Sequence, residues 1–315
     1  MLLSLKSDVL AKLRESCGYV NGEELANTFS KSRTAIWKAI NALRRDGYKI
    51  EAHTNKGYIL AESDLLSAEE ISLNMQNKIK VYYYNSVDST NNEAKRLIPG
   101  GEDSVFLVAA NEQTEGRGRQ GKSFYSPPDT GIYMSLVLHP CAPLANAVSA
   151  TTAAAVAVCK AIERLTGEVP GIKWVNDVYL HGEKICGILT EAVSDFETGT
   201  VQSVIIGVGV NITTEDFPSG TENAGCIGLK INRARLIGAI TDALIETAAS
   251  DYSDFIDYYR SRSIILGRKI RYKENGVWQN ATAVEIDPSG GLVIKTESGE
   301  TRTLRSGEIS VRRTK

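Results

Sequence analysis

The pattern of apolar residues changes twice along this chain of 315 residues, and each change limits the folds open to the segment that follows. Residues 1–62 show the helical period and end in a short alternating stretch. Residues 81–265 mix helix and strand periods, and residues 266–315 contain short strands between turn signals. The sequence therefore predicts an α+β protein of three domains. Residues 63–80 are predicted as a linker with one helix, Ala68–Met75, which Ser67 can cap.

The first segment has the order of elements of a winged helix-turn-helix. Asn21 and Ser32 are residue types that cap helix N-termini, and Gly47 is the type that commonly ends a helix. The predicted elements are helices over Ser7–Glu15, over Gly22–Thr28 and from Ser32 to Asp46, followed by strands over Tyr48–Ala52 and Gly57–Leu60.

Basic side chains are concentrated in the second half of this segment. Positions 31–56 hold seven lysine and arginine residues against two acidic ones, whereas the whole chain has a net charge of −2. A positive helix followed by a positive wing suits the major groove of DNA and its phosphates. The predicted DNA-binding residues are Ser32, Arg33, Thr34, Trp37, Lys38 and Lys56. The alternative is an interaction domain with a solvated basic face.

The second segment, residues 81–265, alternates strand and helix patterns, whereas the third, residues 266–315, has short strands between turn signals. Strands of the second are predicted over Val81–Asn85, Val105–Ala110, Ile132–Leu138, Gly171–Trp174, Lys184–Ala192 and Ser203–Val210. Its helices are predicted over Asn91–Leu97, Leu144–Leu165, Arg233–Ala249 and Tyr252–Arg262, with Asn232 capping the third. This order indicates a mixed or mostly antiparallel sheet in a domain over 81–265. Turn signals such as Asp287-Pro288-Ser289-Gly290-Gly291 predict a small SH3-like β-barrel over 266–315.

The composition excludes several classes of protein. The five cysteines are scattered and form no C-x-x-C pair, and the three histidines show no metal-ligand spacing. The sequence shows neither a signal peptide nor an apolar run of the roughly 18 residues that would span a bilayer. We therefore expect a cytoplasmic protein with reduced thiols and no membrane partner.

One short segment suggests an anion-binding site. Gly116-Arg117-Gly118-Arg119-Gln120-Gly121 combines three glycines with two guanidinium groups. Glycines let a backbone approach a ligand closely, and guanidinium groups suit carboxylate and phosphate oxygens. The segment matches neither a Walker P-loop nor a Rossmann turn, so by itself it could equally be a flexible solvated loop.

Three further clusters carry unusual polar residues. Ser89-Thr90-Asn91 could form a site or only cap a helix. Lys173-Trp174-Val175-Asn176-Asp177, with Lys184 after it, could be a site or a plain hairpin turn. The glycines of Gly207-Val208-Gly209-Val210-Asn211 suggest a ligand lying close to the strand backbone.

Taken together and in this order, these motifs resemble those of biotin protein ligases. The N-terminal helix-turn-helix makes the chain similar to the bifunctional bacterial form, which also represses biotin synthesis and transport genes. The resemblance implies that ATP activates biotin to biotinyl-5′-AMP, and that biotin then passes to a lysine of a biotin carboxyl-carrier protein. It also implies a homodimer that forms on ligand binding and binds operator DNA.

The resemblance also implies roles for residues. Lys184, Arg117, Arg119 and Asp177 correspond to catalytic positions. Biotin-binding positions are Ser89, Thr90, Asn91, Gln113, Arg117, Gly118, Arg119 and Lys184. Positions for ATP or the adenylate are Arg119, Phe124, Lys173, Asn176 and Asn211. Asp177 would hold Mg²⁺ or orient Lys184.

Two positions depart from the family pattern. Phe124 stands where many members have a tryptophan that covers biotin and adenine, and Gln120 stands where many have a third basic residue. We expect these changes to weaken retention of the intermediate.

Two alternative functions remain: a transcription factor that only senses a ligand, and a lipoate ligase. The second is disfavoured because the chain lacks the Arg-Arg-x-Ser-Gly-Gly-Gly signature.

Overall fold

A computed structural model describes residues 4–16, 18–61, 64–100, 104–139, 147–194, 201–221, 223–250, 253–274, 276–307 and 309–311. The chain divides into two compact units, residues 1–65 and 66–315. Among the described residues, no helix is long and apolar enough to cross a membrane.

Unit 1 is the predicted winged helix-turn-helix. Its elements are α1 (Leu5–Glu15), α2 (Gly22–Thr28), α3 (Arg33–Arg45), β1 (Ile50–His53) and β2 (Gly57–Leu60). The caps act as predicted: the Asn21 side chain accepts from the Glu23 amide, and the Ser32 hydroxyl accepts from the Ala35 amide. The buried face of α3, with Ile36, Ile40 and Leu43, packs on α1 and α2 to form the core of this unit.

Unit 2 is built on a seven-stranded sheet. Its strands are β3 (Lys80–Tyr84), β4 (Phe106–Ala110), β5 (Gly131–Leu138), β6 (Gly171–Lys173), β7 (Asp177–Leu180), β8 (Glu183–Ser194) and β9 (Val201–Asn211). The strand order is β3-β4-β5-β9-β8-β7-β6, and only β3 and β4 pair in parallel. The mixed, mostly antiparallel sheet is therefore confirmed, whereas β7 was not among the predicted strands.

Helices cover both faces of this sheet. They are α4 (Ala68–Leu73), α5 (Thr90–Leu97), α6 (Ala147–Thr166), α7 (Arg233–Ala249) and α8 (Ser253–Ser261). Residues 144–146 and 252 of the predicted helices lie outside the described residues. Alternate residues of β4 point to opposite sides: Leu107 joins the main core, while Phe106 packs with Ala94 of α5. The Ala-rich helix α6 is buried in the main core.

The C-terminal residues form a five-stranded antiparallel sheet. Its strands are β10 (Lys269–Glu274), β11 (Val277–Ile286), β12 (Leu292–Thr296), β13 (Thr301–Leu304) and β14 (Ile309–Val311). The order is β13-β12-β11-β10-β14, and within the described residues the two outer strands do not pair. This sheet and the seven-stranded sheet share one hydrophobic core, which also includes Leu66, Ile71 and Met75 from the predicted linker. The boundaries of the three domains stay predictions.

Candidate active site and DNA-binding surface

A cavity of about 740 Å³ opens in unit 2, where the N-terminus of α5, the ends of β8 and β9 and the C-terminal sheet meet. The predicted ligase-site residues all line it: Ser89, Thr90, Asn91, Gln113, Arg117, Gly118, Arg119, Phe124, Lys173, Asn176, Asp177, Lys184 and Asn211. The cavity therefore brings together side chains that are scattered over more than 120 positions of the sequence.

The Gly116–Gly121 segment is a folded loop. Phe124 N donates to Gly116 O at 2.8 Å, and Gly118 N donates to Lys122 O at 2.7 Å. A side chain at position 116 would collide with the Phe124 carbonyl, which explains the glycine there. Gln120 and Gly121 both have positive φ angles, 57° and 73°. The loop thus carries Arg117 and Arg119 along the cavity wall.

Basic side chains dominate the cavity. The basic lining residues are Arg117, Arg119, Lys122, Lys173, Lys184 and Arg271, and Asp177 is the only carboxylate among the described lining residues. Burial lowers the pKa of Arg119, although a guanidinium stays charged at neutral pH. Such an excess of positive charge in a half-enclosed site suits a ligand with several negative charges.

The β6–β7 turn positions two of these cations. Asn176 accepts from Arg119 NH1 at 3.2 Å through its Oδ1, and its Nδ2 donates to Ile188 O at 3.1 Å. Lys184 Nζ lies 2.6 Å from Asp177 Oδ1. Trp174 donates from Nε1 to Gly290 O at 2.8 Å and so ties the turn to the C-terminal sheet. The Lys-Trp-Val-Asn-Asp motif is therefore more than a plain hairpin turn.

A second group of lining residues is polar and hydrogen-bonded within the protein. Gln113 Oε1 accepts from Thr90 N at 2.9 Å, and Gln113 Nε2 donates to Ser126 Oγ at 2.9 Å. Ser135 Oγ lies 2.8 Å from Thr90 Oγ1 and 2.6 Å from Asn91 Oδ1. Asn91 Nδ2 donates to Glu191 Oε2 at 2.9 Å. We call the lining residues Thr90, Asn91 and Gln113, together with Ser126, Ser135 and Glu191, which contact them but do not line the cavity, the polar network.

Ser89 precedes α5 but does not cap it through its side chain. Ser89 is only 2% exposed, and it lines the cavity. The other predicted caps of the chain, including Ser32 and Asn232, do accept from a helix amide. The cap interpretation of Ser89 is therefore wrong for its hydroxyl group, which is left for the cavity.

The strand glycines Gly207 and Gly209 line the cavity, and each also accommodates a side chain of the site. A Cβ at Gly207 would collide with Asn91 Oδ1, and one at Gly209 would collide with the Phe124 ring. A Cβ at Gly187 would stand 3.1 Å from the same ring. These glycines make room for two side chains of the site, Asn91 and Phe124.

Sequence reasoning missed several members of the site. Ser135 is fully buried in the apolar strand β5, and a lone serine in such a run was a usable signal. Glu191 lies in an alternating part of β8 and gave no local signal. The C-terminal sheet, for which no site residue was predicted, contributes Arg271, Trp278 and Ser310 to the cavity wall.

The predicted DNA-binding residues lie on unit 1. Arg33, Thr34, Trp37 and Lys38 are exposed on α3, and Trp37 is 55% exposed although it is large and apolar. Lys56 is exposed in the turn between β1 and β2, and Ser32 caps α3. Arg44 differs from the other basic residues, because it donates from Nε and NH2 to Ile50 O at 2.9 and 2.7 Å and so joins α3 to β1.

Models of three known protein families match separate parts of the chain. Residues 6–59 match the HTH domain, residues 83–211 the Biotin/lipoate A/B protein ligase family, and residues 265–312 the Biotin protein ligase C terminal domain.

Known proteins match the chain over most of its length. It is 32% identical to the bifunctional ligase/repressor BirA of Bacillus spizizenii, over 95% of this chain and 96% of that protein. It is 28% identical to BirA of Escherichia coli, over 93% and 92%. The solved biotin protein ligase of Aquifex aeolicus in complex with biotin and ATP has a TM-score of 0.61 and 26% identity, over 74% of this chain and 99% of that one. The chain therefore belongs to the family of bifunctional biotin ligase/repressors.

Proposed function

We propose that the cavity of unit 2 carries out both steps of biotin ligation. A biotin carboxylate oxygen attacks the α-phosphorus of ATP, and pyrophosphate leaves. The amine of a lysine on a biotin carboxyl-carrier protein then attacks the carbonyl carbon of biotinyl-5′-AMP, and AMP leaves. The observation that carries this proposal is that six basic side chains and the uncharged polar side chains of Ser89, Thr90, Asn91 and Gln113 line one cavity.

The basic side chains reduce the electrostatic repulsion between the two substrates of the first step. A carboxylate and a triphosphate are both anions and repel each other. Positive charge must therefore offset this repulsion and stabilise the negative charge that develops on the phosphoryl oxygens. Lys184 orients the biotin carboxylate and the α-phosphate, while Arg117 and Arg119 stabilise the phosphate oxygens. Asp177 holds the Lys184 amine in place at 2.6 Å.

The polar network suits the ureido ring of biotin, which is neutral and needs hydrogen-bond partners once it is buried. Ser89, Thr90, Asn91 and Gln113 supply them, with the backbone around Gly118 beside them. Because Thr90, Asn91 and Gln113 are already held by hydrogen bonds within the protein, they lose little conformational entropy on binding.

Asn211 and Phe124 suit the nucleotide. The Asn211 Nδ2 donates to Gly225 O at 3.0 Å, whereas its buried Oδ1 has no partner within the described residues. A buried acceptor without a partner is costly, and the exocyclic amine of adenine would satisfy it. Phe124 offers a ring face for stacking, and Lys173 and Asn176 line the same cavity.

The side chains of the described residues do not form a metal centre by themselves. The described residues contain no cluster of three metal-ligating side chains, and the Asp177 carboxylate is paired with Lys184. Mg²⁺ commonly binds through one or two carboxylates and substrate phosphates. We propose that Asp177 would be the protein ligand of a Mg²⁺ ion that arrives with ATP, where the ion would offset phosphate charge.

For unit 1 we propose operator binding by a homodimer that forms once biotinyl-5′-AMP is bound. The support is the exposed row of Arg33, Thr34, Trp37 and Lys38 on α3, with Lys56 on the wing. Two such helices related by a twofold axis would contact two half-sites of a palindrome. Selection of bound sequences from a random duplex pool, with and without biotin and ATP, tests this half. The expected result is a palindromic consensus that emerges only with both ligands.

The ligase half is tested by pyrophosphate exchange into ATP. We expect exchange that depends on biotin and not on lipoate, followed by labelling of a purified biotin carboxyl-carrier domain. Exchange with lipoate alone would favour a lipoate ligase. Binding of biotin without any exchange would favour a transcription factor that only senses its ligand.

A further inference from the structure

Arg117 lines the cavity, but its shortest polar contact is with a residue outside the cavity wall. Its NH1 group donates to Asn92 Oδ1 on α5 at 2.9 Å. Asn92 is half-buried and does not line the cavity. Any effect of Asn92 on a ligand must therefore pass through the residues that it contacts.

The amide of Asn92 has one orientation that satisfies both of its neighbours. Its Nδ2 donates to Asp88 Oδ2 at 3.0 Å. Hydrogen bonds from Arg96 and from Asn92 hold the pKa of Asp88 well below its usual range, although burial opposes them, so this carboxylate is ionised and can only accept. A guanidinium can only donate, so the amide oxygen must face Arg117. Asn92 is therefore a fixed acceptor for Arg117.

Two carboxylates lie near this contact, and each is paired with a cation of α5. Arg96 donates to Asp88 from NH1 at 3.0 Å and from NH2 at 2.6 Å. Lys95 Nζ lies 2.7 Å from Glu191 Oε1, whereas Arg117 NH1 lies 3.4 Å from the same oxygen. Because these shorter pairs offset the carboxylates, the positive charge of Arg117 stays available for an anionic ligand.

A neutral acceptor holds a guanidinium without cancelling its charge. Of the five N–H donors of Arg117, those on Nε and NH2 make no hydrogen bond within the described residues. They remain for ligand oxygens in the cavity that Arg117 lines. The side chain is 43% exposed, and such a side chain loses conformational freedom on binding unless the protein already holds it.

We propose that Asn92 is a positioning residue that holds the guanidinium of Arg117 in place before a ligand binds and leaves its positive charge free. The proposal rests on the proposed function, in which Arg117 stabilises phosphate oxygens of ATP. It goes beyond that function because it assigns α5 a role in the reaction: Asn92 holds Arg117, while Lys95 and Arg96 pair with the carboxylates that would compete for it.

The first test is Asn92→Ala, measured as the rate of biotinyl-5′-AMP formation with enzyme in excess over labelled ATP. At saturating biotin the rate constant should fall about three- to tenfold, because the Arg117 side chain must then be ordered in each reaction. The Kd for biotin should keep its wild-type value, since Arg117 acts on the phosphate. Alanine has a higher helix propensity than asparagine, so α5 should stay folded.

The matched control is Asn280→Ala on β11. It removes a comparable amide contact, from Asn280 Nδ2 to Glu297 Oε1 at 2.8 Å, and the residue does not line the cavity. Asn280→Ala should react at the wild-type rate. A wild-type rate in Asn92→Ala, or an equal loss in the control, would overturn the proposal. A wild type that forms no biotinyl-5′-AMP would instead contradict the proposed function.

A double variant shows whether Asn92 acts through Arg117. Arg117→Gln should slow the reaction more than Asn92→Ala does. Adding Asn92→Ala to Arg117→Gln should slow it no further, because the side chain that Asn92 holds is already absent. Excess enzyme keeps such slow rates measurable. If the two losses multiply, Asn92 acts independently of Arg117 and the proposal is wrong.

Nitrogen NMR of the labelled wild type tests the contact without a substitution at Asn92, in case Asn92→Ala does not fold. The guanidinium signals of Arg117 are identified by their absence from the spectrum of Arg117→Gln. In the wild type without ligands, NH1 and NH2 of Arg117 should give separate signals, because a held guanidinium rotates slowly. A single averaged signal would contradict the proposal.

Discussion

Unit 1 and the cavity of unit 2 present their functional side chains in opposite ways. On α3, the predicted DNA-binding residues Arg33, Thr34, Trp37 and Lys38 lie within six positions and are all exposed. In the cavity, residues from distant parts of the sequence are mostly buried or half-buried and hold each other by hydrogen bonds. We infer that each substitution on the exposed face of α3 should weaken DNA binding by a small, independent amount. A substitution in the cavity should instead cause a large loss that affects one ligand.

Lys184→Ala is the strongest test of that contrast. The substitution removes the lysine amine that lies 2.6 Å from Asp177 Oδ1 and leaves that carboxylate without its ion pair. We expect biotin-dependent pyrophosphate exchange to fall by about 10²–10³-fold, the usual loss for one stabilising donor of a transition state. Binding of unit 1 to DNA in the absence of biotin should not change.

The control for this variant is Lys295→Ala, an exposed lysine on β12 that does not line the cavity. Both variants should unfold at the wild-type temperature or close to it. Full exchange activity in Lys184→Ala would contradict the role given to this residue.

Asn211→Ala should produce a smaller effect that is confined to the nucleotide. The Oδ1 of Asn211 is the buried acceptor assigned to the amine of adenine. We expect the KM for ATP to rise about tenfold, as for one hydrogen bond of roughly 1.4 kcal/mol, with no change in the KM for biotin. Steady-state kinetics with ATP and ITP measure this, because ITP offers an oxygen where ATP offers the amine. The wild type should prefer ATP, and a variant that keeps the full preference would show that Asn211 does not select the base.

The same contrast explains what the sequence could predict. In unit 1 the signals are local: Asn21 and Ser32 cap the helices that follow them, and Gly47, at a φ of 97°, lies just after α3. Motif resemblance identified the cavity residues because their order along the chain is distinctive.

The relations among distant residues could not be predicted in this way. That Gly209 accommodates Phe124, or that Ser135 connects Thr90 to Asn91, depends on how β5, β8 and β9 align. The strand β7 was missed for a related reason: it has only four residues, and its register is set by pairing with β8.

The smallest expected effect separates two basic residues of α3 that both contribute to the positive charge of positions 31–56. Lys38 is exposed, whereas Arg44 is committed to Ile50 O through two hydrogen bonds. Lys38→Gln should reduce the slope of log K against log salt by about 0.9 on a random-sequence duplex, because one phosphate contact is lost, and should leave thermal unfolding unchanged. Arg44→Gln should do the reverse: it should lower the stability of unit 1 by about 1–3 kcal/mol and leave the slope unchanged. Salt titrations of DNA binding and thermal unfolding of both variants measure the two effects. A reduced slope in Arg44→Gln, or an unchanged one in Lys38→Gln, would mean that exposure on α3 does not identify the residues that contact DNA.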